Sequence, residues 1–128
     1  MFDNDGTMFG LTEDANLVKI SDFESVSSEI FTAKTTLVAD LGIGRPLGGK
    51  FSADNTLWIA DAVLGLTRLR DPSNPKSKVE IVATKVLDDG VWTRLGFPDD
   101  VAVGPKTGMI YFTDGKEAIV HCSSILSH

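Results

Sequence analysis

Three stretches of this 128-residue chain repeat one pattern: FDNDGTMFGLTEDANLVKI from Phe2, FSADNTLWIADAVLGLTRL from Phe51 and VGPKTGMIYFTDGKEAIVH from Val103. Each opens on a large apolar residue and turns on Asp, Asn, Gly or Lys. An apolar run carrying an aromatic (Phe9, Trp58, Tyr111) follows, then a polar break and a shorter second run. The starts lie 49 and then 52 residues apart. A recurring unit of that length cannot bury its faces alone, so each copy must pack on its neighbours, which restricts the chain to repeat architectures.

A second register gives the unit its strand count. TTLVADLGIGRPLGGKF (35–51) has its counterpart in VEIVATKVLDDGVWTRLGFPDDVAV (79–103). In each, an apolar strand leads through a Gly-containing linker to a proline, Pro46 or Pro98, just before the next strand, where a missing N–H breaks no ladder. The unit is therefore expected to be a four-stranded antiparallel sheet. In the second copy the strands are expected at 47–52 (A), 56–61 (B), 65–70 (C) and 79–84 (D). Ala53, Asp54 and Asn55 would form the first turn, 71–78 the loop before the last strand, and 87–96 the loop to the next unit. Lys76 and Lys78 would protect the outer edge.

Four short strands per unit and a period near 50 residues point to an all-β, partial β-propeller of about two and a half four-stranded antiparallel blades. Blade one covers about 1–40 and lacks most of strand A, blade two about 44–84, and an incomplete blade three about 97–128, within a single domain over 1–128. Closed propellers have about four to eight blades. An arc this short is expected to be the N-terminal fragment of a larger parent, or to complete a ring by self-association through its unpaired blades.

Charge and cysteine content exclude some functions. The net charge is -6, and residues 1–33 hold seven acids against Lys19 alone, while the remaining 11 acids and 11 bases balance. No basic stripe exists to displace counterions from phosphates, so no nucleic acid is expected as a partner. No apolar run approaches the ~20 residues of a spanning helix. The opening MFDNDG has neither the basic nor the apolar region of a signal peptide, so the compartment is left unassigned. Cys122, the single cysteine, has no intrachain partner and reads as a buried strand residue.

Specific motifs carry a family resemblance. GRPLGGKFSADNTLWIADAVLGLTRL (44–69) is similar to the signature of the strictosidine synthase-like family, roughly GRPLG, an apolar run, a D/N-G turn, LYxAD and A-Y-x-GL. The matching residues are Gly44, Arg45, Pro46, Leu47, Gly48, Leu57, Trp58, Ile59, Ala60, Asp61, Ala62, Gly65 and Leu66. FPDDVAVGPKTGMIYFTD (97–114) resembles the family's F-x-N-D-L-x-V followed by YFTD, and FDNDGTMFGLTEDANLVKI resembles its first-blade D-G-T-L-Y-x-G. The three stand in family order and cover about residues 1–114. From Gly115 onward GKEAIVHCSSILSH departs from the family, and neither His121 nor His128 has a family counterpart.

The resemblance implies a six-bladed parent in the wider group of gluconolactonases and paraoxonases, the calcium-dependent phosphotriesterase superfamily. It implies a small-molecule enzyme, with ester or lactone hydrolysis ahead of the amine–aldehyde condensation of strictosidine synthase, a C–N lyase-class reaction. The family's catalytic glutamate has no counterpart in these residues. Fold alone does not fix reaction type. A non-catalytic propeller scaffold or binding module, or an inactive truncated product, is the alternative.

Strand order places the candidate residues. With A descending, the D-to-A and B-to-C connections share one rim, which collects Arg45, Asp61, Trp92, Asp99, Asp100 and Asp114. Arg45, Asp61, Trp92, Asp100 and Asp114 are substrate-rim candidates for a pocket at the channel mouth. Asp99 stands where metal-dependent relatives carry an asparagine that ligates Ca²⁺, and its carboxylate is a hard oxygen donor, so Ca²⁺ is a possible cofactor of the complete parent. The reading preferred for Asp99 and Asp100 is that they bond backbone N–H groups at a strand entrance. Asp61 and Asp114 recur at one place per blade and read as braces of the B-to-C loop; Arg45 reads as an ion-pair partner of a neighbouring blade or as a fork for a substrate carboxylate. Trp92 could offer a stacking face or pack its loop.

Overall fold

Short alternating apolar runs punctuated by Asp, Asn and Gly fold this chain into strands only. Among the described residues, 1–115 and 119–123, the computed structural model has twelve strands and no helix. The complete repeat is a four-stranded antiparallel sheet of β4 (Pro46–Phe51), β5 (Leu57–Asp61), β6 (Gly65–Leu69) and β7 (Glu80–Ala83), hydrogen-bonded in that order. Every end lies within one residue of the strand expected from the repeat.

The flanking sheets are the same unit with strands missing. In the first, β1 (Met8–Leu11), β2 (Asn16–Ser25) and β3 (Phe31–Asp40) stand for B, C and D, and an isolated bridge between Phe2 and Met8 is all that is seen of strand A. In the third, β10 (Pro98–Val103), β11 (Ile110–Asp114) and β12 (Ile119–Ser123) stand for A, B and C. The architecture is thus a partial β-propeller, with no closed barrel. The expected burial of the Cys122 side chain lies outside the described residues.

One expectation is overturned. The stretch read as a loop over 87–96 contains most of a β-hairpin, β8 (Lys85–Asp88) paired with β9 (Val91–Arg94). Asp89 and Gly90 at its tip both have positive φ, 49° and 81°. That backbone matches the right-handed twist of the two strands, and Asp-Gly is the dipeptide that adopts it at least cost.

The sheets pack face to face through β5, whose five residues Leu-Trp-Ile-Ala-Asp are all buried. Side chains alternate across a strand, so one strand can serve two neighbours. Leu57 and Ile59 join Phe9, Leu17, Leu41 and Phe51 in a core against the first sheet. Trp58 and Ala60 join Leu66, Leu95, Val101, Ile110 and Phe112 in a core against the third. The repeated aromatic has a common role: Phe9 meets the Phe51 ring at 5.4 Å between centroids, and Trp58 occupies the same position one unit on. Truncating such buried side chains to Ala costs about 2–5 kcal/mol.

Candidate functional site

The rim begins with two carboxylates that hold the linkers between sheets. Asp61 ends β5 and is 2% exposed. Its Oδ1 accepts three backbone N–H groups: Arg45 of the incoming linker at 2.9 Å, and Val63 and Leu64 of the next turn at 2.8 Å each. Asp114 ends β11 and accepts Gly96 N–H at 2.8 Å and Phe97 N–H at 2.7 Å from the linker that enters the third sheet ahead of β10. Pro46 faces Asp61, and Pro98 faces Asp114, in the same register. Both carboxylates satisfy linker N–H groups that the strand ladders leave over, and backbone groups buried at such a junction need partners.

The second feature is the head of β10. Asp99 and Asp100 are exposed and follow Pro98, where the β10–β11 register shifts between Pro98 and Val101. Asp100 N–H donates to Thr113 Oγ1 at 3.1 Å, and its carboxylate Oδ1 accepts the Val101 N–H at 2.8 Å. Among the described residues, no hydrogen bond or ion pair engages the Asp99 carboxylate. The strand head lies directly against β4, since a Cβ placed on Gly48 would come within 2.6 Å of both Asp100 Oδ1 and the Asp99 carbonyl. Only a residue without a side chain lets the two inner strands approach so closely.

That approach shapes an open cleft of about 370 Å³ lined by Met1, Phe9, Leu11, Leu47, Gly48 and Asp100, together with Gly10 and Gly49. Its lining sets the apolar side chains of Met1, Phe9, Leu11 and Leu47 beside a larger share of polar surface, with the Asp100 carboxylate at the edge. Sequence reasoning reached Asp100 and missed the glycines and Phe9 beside it. The signal was present in GRPLGGKF, because paired glycines inside a strand mark close backbone approach.

The remaining candidates lie apart from this cleft. The Arg45 guanidinium sits 3.7 Å from Glu13 in the β1–β2 turn, and both side chains are largely exposed. The pair bridges the first and second sheets and contributes about 0–1 kcal/mol. Trp92 is on β9, 64% exposed, with Lys85 Nζ 5.7 Å from its ring centroid. At the opposite rim the Asn4 amide donates to the carbonyls of Ser52 and Ala53 at 3.1 Å each, tying the first turns of two successive units. In the second of those turns Ser52 Oγ donates to Asp54 Oδ1 at 2.5 Å. That bond, helped by the Thr56 N–H, holds the Asp54 carboxyl below its ordinary value despite partial burial.

Among the described residues no three His, Cys, Asp or Glu side chains group closely enough to hold a metal ion. Ca²⁺ takes about 6–8 oxygens, so Asp99 with Asp100 beside it falls short of a ligand set.

No family model matches the chain. Over 73 residues, 57% of its length, it is 40% identical to the adipocyte plasma membrane-associated protein of Gallus gallus, of which the match covers 17%. It is 38% identical over 74 residues to the protein STRICTOSIDINE SYNTHASE-LIKE 2 of Arabidopsis thaliana, covering 18% of it. The adipocyte plasma membrane-associated protein of Danio rerio is 38% identical over 73 residues, with 17% of that protein covered. The chain thus matches less than a fifth of each relative's length. These similarities support the assignment to the strictosidine synthase-like group that the motifs carry.

Proposed function

We propose that this chain forms part of a small-molecule propeller enzyme of the strictosidine synthase-like type, built on six blades, and that it contributes substrate binding rather than the proton-transfer group. The observation that carries the reading is the cleft beside Gly48, where the apolar side chains of Phe9 and Leu47 and the Asp100 carboxylate line one opening. One oxygen of that carboxylate is occupied by the Val101 N–H. The other is available to a ligand donor, and a cationic amine with an apolar body would place its ammonium there and its hydrocarbon against Phe9 and Leu47. A charge-assisted hydrogen bond of this kind is about twice as strong as a neutral one.

Within this reading, amine–aldehyde condensation is favoured over hydrolysis. The cleft offers an acid that can bind an amine. Asp99 and Asp100 hold and orient the amine, while Gly48 keeps the cleft open. Hydrolysis of an ester or lactone is the second reading, supported by Asp99 at the position of the relatives' calcium-binding asparagine.

Amide chemical-shift mapping on the 128-residue chain tests the proposal, with 2-phenylethylamine, δ-valerolactone and phenyl acetate as probes. The amine should move the Gly48, Gly49, Asp99 and Asp100 amides, and Asp100→Asn should weaken its binding about tenfold. Shifts there caused by the lactone or ester alone would favour the hydrolytic reading. No shift with any probe would remove the cleft as a substrate site.

A further inference from the structure

The inner strands of the second and third sheets begin on the same irregularity. In the second, Pro46 pairs with Asp61 and Gly48 with Ala60, so Leu47 has no residue opposite it. In the third, Pro98 pairs with Asp114 and Val101 with Phe112, so Asp99 and Asp100 together face Thr113 alone. Each strand head thus carries one extra residue, a β-bulge, which bends the strand and re-aims the side chains next to it. Counting from the two prolines makes Leu47 the counterpart of Asp99, Gly48 that of Asp100 and, across the ladder, Ala60 that of Thr113.

The two heads differ in how the strand leaves its bulge. At Gly48 it returns to the ladder opposite Ala60, whose methyl group offers no acceptor. At Asp100 it does not. The Asp100 N–H donates to Thr113 Oγ1 at 3.1 Å, and regular pairing resumes only at Val101. Asp100 Oδ1 in turn accepts the Val101 N–H at 2.8 Å. The backbone of Asp100 is therefore tied by a side chain of the neighbouring strand, and its carboxylate by the next N–H of its own. These ties set Asp100 against Gly48, where a Cβ would lie 2.6 Å from Asp100 Oδ1 and 2.9 Å from Asp100 Cα, beside the cleft that both residues line.

We propose that Thr113 is a positioning residue for this cleft: its hydroxyl holds Asp100 out of the regular ladder and so fixes the direction from which the carboxylate meets a cationic amine. The part that concerns affinity rests on the amine-binding reading given above, while the part that concerns the placement of Asp100 rests on strand geometry alone. Thr113 acts through Asp100 and touches no ligand itself. Valine at this position would keep the branched shape and lose the acceptor, so the Asp100 N–H would turn to the ladder or to water and carry the carboxylate with it. Serine would keep the acceptor.

Nuclear magnetic resonance of the isotope-labelled 128-residue chain, free and titrated with 2-phenylethylamine, tests this by two readouts. In the free chain a cross-peak between the α protons of Gly48 and Asp100 should appear in the wild type and in Thr113→Ser, and be lost in Thr113→Val. On titration Thr113→Val should bind the amine about fivefold more weakly, the size of one net hydrogen bond, with Thr113→Ser within about twofold of the wild type. A Thr113→Val chain that keeps the cross-peak and the affinity overturns the proposal, as does a change in only one of the two where the wild type binds the amine. Equal losses in Thr113→Ser and Thr113→Val also overturn it, because the hydroxyl would then not be the group responsible. If no chain binds the amine, the amine-binding reading fails, and the cross-peak alone decides whether Thr113 positions Asp100. If Thr113→Val loses its dispersed spectrum, hydrogen exchange of the wild-type Asp100 amide decides: protection supports the tie to Thr113, and exchange as fast as that of an unbonded exposed amide overturns it.

Discussion

A Cβ added to Gly44 would lie 2.0 Å from Oδ2 of Asp61, so the linker into the second sheet can run against this carboxylate only because residue 44 has no side chain. Glycine and acid form one device. The acid collects the N–H groups at the junction, and the glycine clears the path that brings them within reach.

Removing the acid should therefore be costly. Asp61→Ala leaves the Arg45, Val63 and Leu64 N–H groups without their acceptor, at about 1–3 kcal/mol for each group left buried and unsatisfied. A loss of about 3 kcal/mol or more in urea unfolding is expected, and Gly44→Ala should destabilise in the same direction. A loss below about 1 kcal/mol for Asp61→Ala would mean that water replaces the carboxylate without penalty.

The opposite rim should be far more tolerant. Asn4 joins two turns through exposed hydrogen bonds to Ser52 and Ala53. Asn4→Ala should cost about 1 kcal/mol or less, since solvent can take over both carbonyls. Equilibrium unfolding of the two variants side by side measures the contrast.

Acid sensitivity should include a contribution from Asp54. Its folded-state value is lowered below 3.8, chiefly by the Ser52 hydroxyl. A depressed acid stabilises the fold when ionised, so its contribution is full above the unfolded value and is lost as pH falls below about 3.8 through the folded value. Asp54→Asn should flatten that part of the stability curve between about pH 5 and 2 while leaving the slope above it unchanged. Urea midpoints measured across this range check the prediction.

Calcium should leave the isolated chain unmoved. A ligand at a hundred times its dissociation constant adds about 2.7 kcal/mol to the stability of the state that binds it. Because Asp99 and Asp100 supply too few oxygens for the about 6–8 that Ca²⁺ takes, addition of millimolar Ca²⁺ should not shift the thermal midpoint. A rise of several degrees would reveal an oxygen-ligand set among residues beyond those described.

Strand positions were legible in the sequence because the repeat supplies three readings of one pattern, and an error in one copy is corrected by the others. The hairpin of β8 and β9 has no such redundancy. It is inserted between units, and its cue was the Asp89-Gly90 dipeptide flanked by Leu87 and Val91, a local signal that the longer period obscured. The recurrence of Asp61 and Asp114 pointed to a brace, but the identity of the braced groups depends on linker path, which no periodicity encodes. The cleft was least legible. Its shape comes from Gly48 meeting the backbone of Asp99, 51 residues along the chain, and sequence reveals a glycine without saying what approaches it.

β5 has a consequence for how the molecule comes apart. Arrays of repeats often melt piecemeal, each unit opening with only its neighbours' consent. Here the alternate residues of one five-residue strand are shared between two cores, Leu57 and Ile59 in one and Trp58 and Ala60 in the other. Neither core can be lost while that strand stays in place with its other half dry. The three sheets are accordingly bound into one thermodynamic unit by a single strand of five residues.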